Sequence, residues 1–166
     1  MSTYFIGCLH ISHENMAKHR GFENSEEHDN YLIKQWNSVI KKKDKVYILG
    51  DVTMENRKHY HKLALLNGLK TVVLGNHDLE KDVPELLKYV DKVCGCVKYK
   101  GFIVTHIPVH TSQLNRFNGN IHAHIHEEEI TSCGKVYFID NRYINTDAKL
   151  LDFKPISFES IKNRNI

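Results

Sequence analysis

Apolar residues recur along this chain in short blocks separated by amphipathic stretches. Tyr4 to Leu9 reads as a buried strand. Asn24 then has the look of a helix N-cap, with Glu27 three residues on, and the segment after it places Leu32, Trp36, Val39 and Ile40 on one helical face. Val46 to Leu49 is a second buried strand, Lys58 to Leu66 a helix, and Thr71 to Leu74 a third strand. Pro84 opens a short helix after Asp82. This βαβαβα order predicts a mostly parallel sheet flanked by helices.

The second half is richer in strands. Val93 to Tyr99 and Phe102 to Ile107 are predicted strands, joined by a hairpin turn at Lys100-Gly101. Ile121 to Ile125 and Lys135 to Ile139 continue as strands, and Phe158 to Lys162 closes with a short helix. Pro108 to Asn120 is long, polar and irregular, a candidate substrate loop. An α/β half followed by a β-rich half predicts two packed sheets with helices outside.

Composition narrows the picture without changing it. The 166 residues fit one domain, 1–166, and the 41% hydrophobic and 26% charged fractions suit an ordinary globular chain. The net charge of +3 comes from scattered residues, and Lys41-Lys42-Lys43 reads as a solvated helix end, so nothing argues for nucleic-acid binding. No segment approaches the ~20 apolar residues of a membrane span and no leader precedes the first strand, so the default expectation is a cytoplasmic protein without a membrane partner. The four cysteines are expected as free thiols, with Cys94 and Cys96 as small core residues. Oligomeric state is not legible.

Histidine is the departure from the ordinary: there are 12. Polar residues gather where the predicted strands end, which is where open α/β sheets place ligand sites. The series runs Cys8-Leu9-His10, Gly50-Asp51, Gly75-Asn76-His77-Asp78, then His106, then His122, His124 and His126 at alternate positions. Period two would put those last three imidazoles on one side of a strand, at a cost unless they are paired or bind metal. Imidazole and carboxylate donors suit zinc, iron or manganese. Each piece alone is commonplace; the ordered series predicts a shared metal site.

This series resembles the signature of the calcineurin-like metallophosphoesterase superfamily: D-x-H, G-D, G-N-H-[D/E], H and G-H-x-H. The likeness runs over nearly the whole chain. Ser12-His13-Glu14-Asn15, Trp36-Asn37-Ser38, Asn145 and Lys154-Pro155-Ile156 are similar to small bacterial and phage phosphohydrolases of that superfamily. The resemblance implies a four-layer αββα sandwich of two mixed sheets flanked by helices, with a dinuclear site at its edge. One metal ion would be held by Cys8, His10, Asp51 and His126. The second would be held by Asp51, Asn76, His106 and His124, with Asp51 bridging. It also implies a metal-held hydroxide attacking phosphorus in a small phosphodiester or phosphomonoester, a nucleotide or cyclic nucleotide among the candidates. His77 would act as general acid, alongside Asp51 and Asn76. Asp78 would orient a histidine ring, and His13 would either touch phosphate or simply pack.

Two positions depart from that signature. Cys8 replaces its first aspartate: either the thiolate ligates, biasing the site toward zinc or iron, or the thiol merely packs. Ala123 replaces the glycine before His-x-His. Gly50-Asp51-Val52-Thr53-Met54-Glu55-Asn56 lacks the Asp-Arg pair of the superfamily's protein phosphatases, so a small substrate is expected. The rival readings are a binding scaffold that has lost ligands, for which Cys8 speaks, and a nuclease.

Overall fold

The computed structural model describes residues 1–131 and 138–164. Strands β1 (Thr3–Gly7), β2 (Lys45–Leu49), β3 (Leu69–Val73) and β4 (Lys92–Cys94) form one sheet with β9 (Ile156–Ser157), in the order β4-β3-β2-β1-β9. The first four are parallel, in the register Ile6–Ile48–Val72, and β9 joins β1 antiparallel. The second sheet has the order β5-β6-β7-β8, from β5 (Val97–Tyr99), β6 (Phe102–Val104), β7 (Gly119–His122) and β8 (Tyr143–Asn145). Here β5–β6 is the expected Lys100-Gly101 hairpin, while β6, β7 and β8 run parallel.

Alternation along the strands divides the core in two. Ile6, Val46, Ile48 and Val72 face one way, onto Leu32 and Trp36 of α2 (Ser25–Val39), Tyr60 and Leu63 of a 3₁₀ helix (Arg57–Leu65), and Leu86 of α3 (Val83–Leu86). Phe5, Leu49 and Val73 face the other way, onto Phe102, Val104, Ile121 and Ile144 of the second sheet. Phe158 and Ile161 of α4 (Phe158–Lys162) close that inter-sheet core. Two mixed sheets with flanking helices are thus the architecture.

Local signals account for most boundaries. Asn24 caps α2 by accepting from Glu27 N, and Pro84 stands in the first turn of α3. Trp36 Nε1 donates to Asn67 O, while Asn37 exchanges bonds with Leu65 O and Asn67 N, tying α2 to the turn before β3.

Several expectations need correction. The segment 93–99 is not one strand: it breaks at Gly95-Cys96, and β4 and β5 belong to different sheets. Consequently Cys94 packs against the inter-sheet core while Cys96 is exposed, not a core residue. The predicted helix at 58–66 is present as the 3₁₀ helix Arg57–Leu65, and the irregular 108–120 segment contains another 3₁₀ helix, Thr111–Arg116. α1 (Glu14–His19), β8 and β9 were not foreseen. The predicted Lys135–Ile139 strand lies mostly outside the described residues; Ile139 makes an isolated bridge to Thr131. Among the described residues no helix is long and apolar enough to cross a membrane.

Candidate metal centre

Every predicted metal ligand, with His77, sits just past the C-terminal end of a strand: Cys8 and His10 after β1, Asp51 after β2, Asn76 and His77 after β3, His106 after β6, His124 and His126 after β7. Parallel pairing in register brings those ends to one edge of the molecule. The backbone there is bent sharply. Cys8, His10, Asp51, His124 and His126 all adopt left-handed conformations, with φ between 50° and 70°, each costing about 1–2 kcal/mol for an L-residue. Strain concentrated in this way is characteristic of functional sites. It also overturns the alternating-strand reading: β7 ends at His122, and His124 and His126 reach the site from a loop.

Close approach of the loops requires glycine at one position. A Cβ on Gly75 would overlap Asp51 Oδ1, so Gly75 lets the β3 loop lie against the Asp51 carboxylate. The methyl of Ala123 is accommodated because residue 7 is also glycine; a side chain there would overlap Ala123 Cβ.

The donor atoms converge on two points that share Cys8. Ligand atoms of Cys8, His10 and His126 lie within 4.8 Å of one another, as do those of Cys8, Asp51 and His106. His106 Nε2 is 3.4 Å from Asp51 Oδ2, 3.0 Å from Asn76 Oδ1 and 3.2 Å from His124 Nδ1. His10 Nε2 is 4.0 Å from Asp51 Oδ2, which puts Asp51 between the two histidines. Remote hydrogen bonds fix which ring nitrogen faces inward. His106 Nδ1 donates to Leu49 O at 2.8 Å and His126 Nδ1 donates to Asp147 Oδ2 at 2.9 Å, leaving each Nε2 as the available donor atom. His10 is 1% exposed, and among the described residues neither of its ring nitrogens has a hydrogen-bond partner. An orphaned imidazole among a thiol, a carboxylate and a second imidazole fits a transition-metal ion by the chemistry of the donor set.

The electrostatics agree. Burial, then Arg20, lowers the His10 pKa to about 3. Burial pushes the Cys8 thiol far above its usual range, and the Asp147 and Asp51 carboxylates add to the effect. Burial alone would also lower His106, but the hydrogen bond and charge of Asp51 outweigh it and raise the pKa; Asp51 is lowered in return. The atoms around His106 Nε2 therefore attract positive charge.

Asp78 departs from its predicted role, and His122 and His13 have partners of their own. Asp78 does not orient a histidine: its carboxylate accepts from the backbone amides of Asp51, Val52 and Gly75, clamping two ligand loops together. His122 stays out of the cluster, its Nδ1 donating to Ala123 O and its ring against Tyr143. His13 caps α1, accepting from Met16 N, with its ring 6.1 Å from that of His10. His77 is placed beside the cluster, its ring 6.5 Å from that of His10 and its amide donating to Asp51 Oδ1 at 3.1 Å.

Sequence reasoning missed Arg20, His28, Asp29, Lys62, Asp147 and Glu55. Buried Arg20 donates to the Cys8 and Leu9 carbonyls at 2.7 and 3.2 Å and lies 3.6 Å from Asp147, so one guanidinium holds the strained loop. Behind it His28 accepts from Arg20 and donates to Asp29, whose carboxylate also receives Ser12 and Lys62. Burial works against the Asp29 charge, but His28, Lys62 and Ser12 together hold its pKa near 2. Asp147, fully buried, orients His126, and Glu55 Oε1 lies 3.2 Å from His77 Nδ1. Asp147 lies two residues past the end of β8, so the strand-end rule would have found it had β8 been recognised.

Fold and cluster together define an α/β protein of two mixed sheets with a candidate metal centre at the strand ends. No family model matches the chain. Over 167 aligned residues it is 33% identical to the uncharacterized protein MJ1445 of Methanocaldococcus jannaschii, covering 95% of this chain and 88% of that one. The chain belongs to the family of that protein. A match to the gene 66 protein of Mycobacterium phage L5 is 40% identical over 82 residues, 46% of this chain and 40% of the phage protein. Among solved structures, the protein of unknown function AQ665 from Aquifex aeolicus has a TM-score of 0.70 and 26% identity, covering 97% of each chain. An archaeal phosphodiesterase has a TM-score of 0.50 at 17% identity, covering 87% of this chain and 82% of that one; this likeness is one of fold.

Proposed function

We propose that this protein is a metal-dependent phosphoesterase of the calcineurin-like metallophosphoesterase type, acting on a small phosphodiester or phosphomonoester. The observation that carries the reading is His10, buried among Cys8, Asp51 and His126 with neither ring nitrogen hydrogen-bonded among the described residues. The archaeal phosphodiesterase of similar fold supports it. Cys8, His10, Asp51 and His126 would hold one ion, and Asp51, Asn76, His106 and His124 a second. When bound, such ions lower the pKa of a coordinated water and neutralise phosphate oxygens.

The chain's own residues supply the rest. Asp147 and the Leu49 carbonyl keep His126 and His106 in the tautomers that present Nε2 to the site. Arg20 holds the Cys8–Leu9 backbone so that Cys8 and His10 face one point. His77, oriented through Nδ1 by Glu55, presents Nε2 to the leaving oxygen and donates its proton there, a contribution of roughly 10²–10⁴-fold. A scaffold that merely bound partners would have no use for a tautomer-fixed histidine set.

The roles separate under substitution. Asp51→Ala should lose both metal ions and all turnover of an aryl phosphodiester, whereas His77→Ala should keep the metal and lose turnover. Elemental analysis with manganese, zinc and iron decides it. Folded, metal-loaded protein inactive on every aryl phosphoester tried would overturn the reading.

A further inference from the structure

Beside His77 the surface has a feature that hydrolysis itself does not use. A cleft of about 400 Å³ is lined by Glu55, Asn56, Arg57, Lys58, Lys81 and Asp82. Glu55 joins it to the site, since the same side chain that lines the cleft meets His77 Nδ1 at 3.2 Å. Glu55 is itself held in left-handed backbone, with φ 53°, so its carboxylate is placed there at a cost in strain.

The charges of the cleft are unevenly committed. Its two carboxylates are engaged, Glu55 with His77 and buried Asp82 with Arg57 Nη1 at 3.5 Å. Lys58 and Lys81 are exposed, and among the described residues their ammonium groups make no ion pair or hydrogen bond. Arg57 is 64% exposed and keeps most of its donors turned to solvent. Exposed cations around a concave surface, with their local carboxylates occupied, recognise an anion, and phosphate suits both the point charge of lysine and the fork of arginine.

We propose that this cleft is a second anion subsite, and that the substrate is a phosphoester whose leaving group carries a further phosphate. The inference rests on the hydrolytic reading, in which His77 protonates the leaving oxygen, so the leaving group departs where Glu55 and the cleft begin. A small nucleotide-like molecule and a polynucleotide both carry such a phosphate.

The test uses Lys58→Glu/Lys81→Glu, a change of exposed side chains only, with Lys58→Ala/Lys81→Ala as a milder version. Metal-free protein is titrated with inorganic phosphate while the amide resonances of residues 58 and 81 are followed by NMR. Saturable shifts in the unmodified protein, absent in both variants, are expected. Metal-loaded protein is then assayed on methyl aryl phosphodiesters whose leaving phenol bears a para-phosphate or a neutral para-methoxy group. Loss of two charge-assisted contacts should lower kcat/KM for the phosphorylated substrate by roughly tenfold or more, with the neutral substrate unchanged. Equal effects on both substrates, or none, overturn the subsite. If neither substrate turns over in the unmodified protein, the hydrolytic reading fails, and the phosphate titration alone decides the subsite: no shifts at residues 58 and 81 overturn it. A dinucleotide and a single-stranded oligonucleotide then separate the sources, according to which loses more activity in the variants.

Discussion

Replacing His10 by leucine should change the stability of this protein in opposite directions with and without metal. The side chain is buried, and among the described residues both ring nitrogens lack hydrogen-bond partners. An unsatisfied buried polar group costs about 1–3 kcal/mol, so the two nitrogens together destabilise the metal-free protein by roughly 2–6 kcal/mol. Leucine removes both and is of similar size. It tolerates the left-handed backbone at this position, φ 50°, less well than histidine does, which returns about 1 kcal/mol of the gain. A net stabilisation of about 1–5 kcal/mol remains in chelator, or roughly 2–20 °C in Tm for a chain of this size. With metal at about 10⁵ times its Kd, the unmodified protein gains about 7 kcal/mol, and the variant, short of one donor, gains much less. Calorimetric melts of both proteins in EDTA and in manganese or zinc would show the order of stability reverse. His10→Gln, which stays polar, should show no gain in chelator. If His10→Leu is destabilised equally in both conditions, the imidazole is a packing residue and the metal argument collapses.

Other consequences are more direct. Arg20→Met leaves Asp147 as an unpaired buried carboxylate and frees the Cys8 and Leu9 carbonyls; breaking a buried pair costs about 3–5 kcal/mol, which urea unfolding will read. Burial lowers His122 to a pKa of about 4, from 6.5. Between those values the unfolded chain binds the extra proton, so this contribution to stability is present above pH 6.5 and is lost as pH falls toward 4, by roughly 3 kcal/mol in all. His122→Asn should flatten that part of the pH–stability curve of metal-free protein, and an unchanged slope would show that the ring titrates normally. Cys8→Asp puts a hard carboxylate where a soft sulfur stands and should move metal preference from zinc toward manganese in competition titrations; unchanged preference would remove Cys8 from the ligand set.

The local code determined much of this protein. Asn24 with Glu27, Pro84, and Lys100-Gly101 each act through neighbours a few residues away, and the structure has the α2 cap, the α3 start and the β5–β6 hairpin where they say. The ordered series from Cys8 to His126 was legible for a similar reason: parallel strands in register bring their C-terminal ends to one edge, so chain order already implies proximity. What the sequence could not decide is everything that depends on partners distant in the chain. Residues 93 to 99 read as one strand interrupted only by Gly95, and packing between two sheets makes the chain break at Gly95-Cys96 and cross over. His122, His124 and His126 alternate as a strand would, yet tertiary contacts bend the last two into left-handed backbone, pointing them at the site while His122 turns away. Arg20 and Asp147 carry no local signal for their roles. They meet beneath the Cys8 loop because α1 ends beside β1 while β8 delivers residue 147 against Gly7, a juxtaposition that exists only once both sheets have formed.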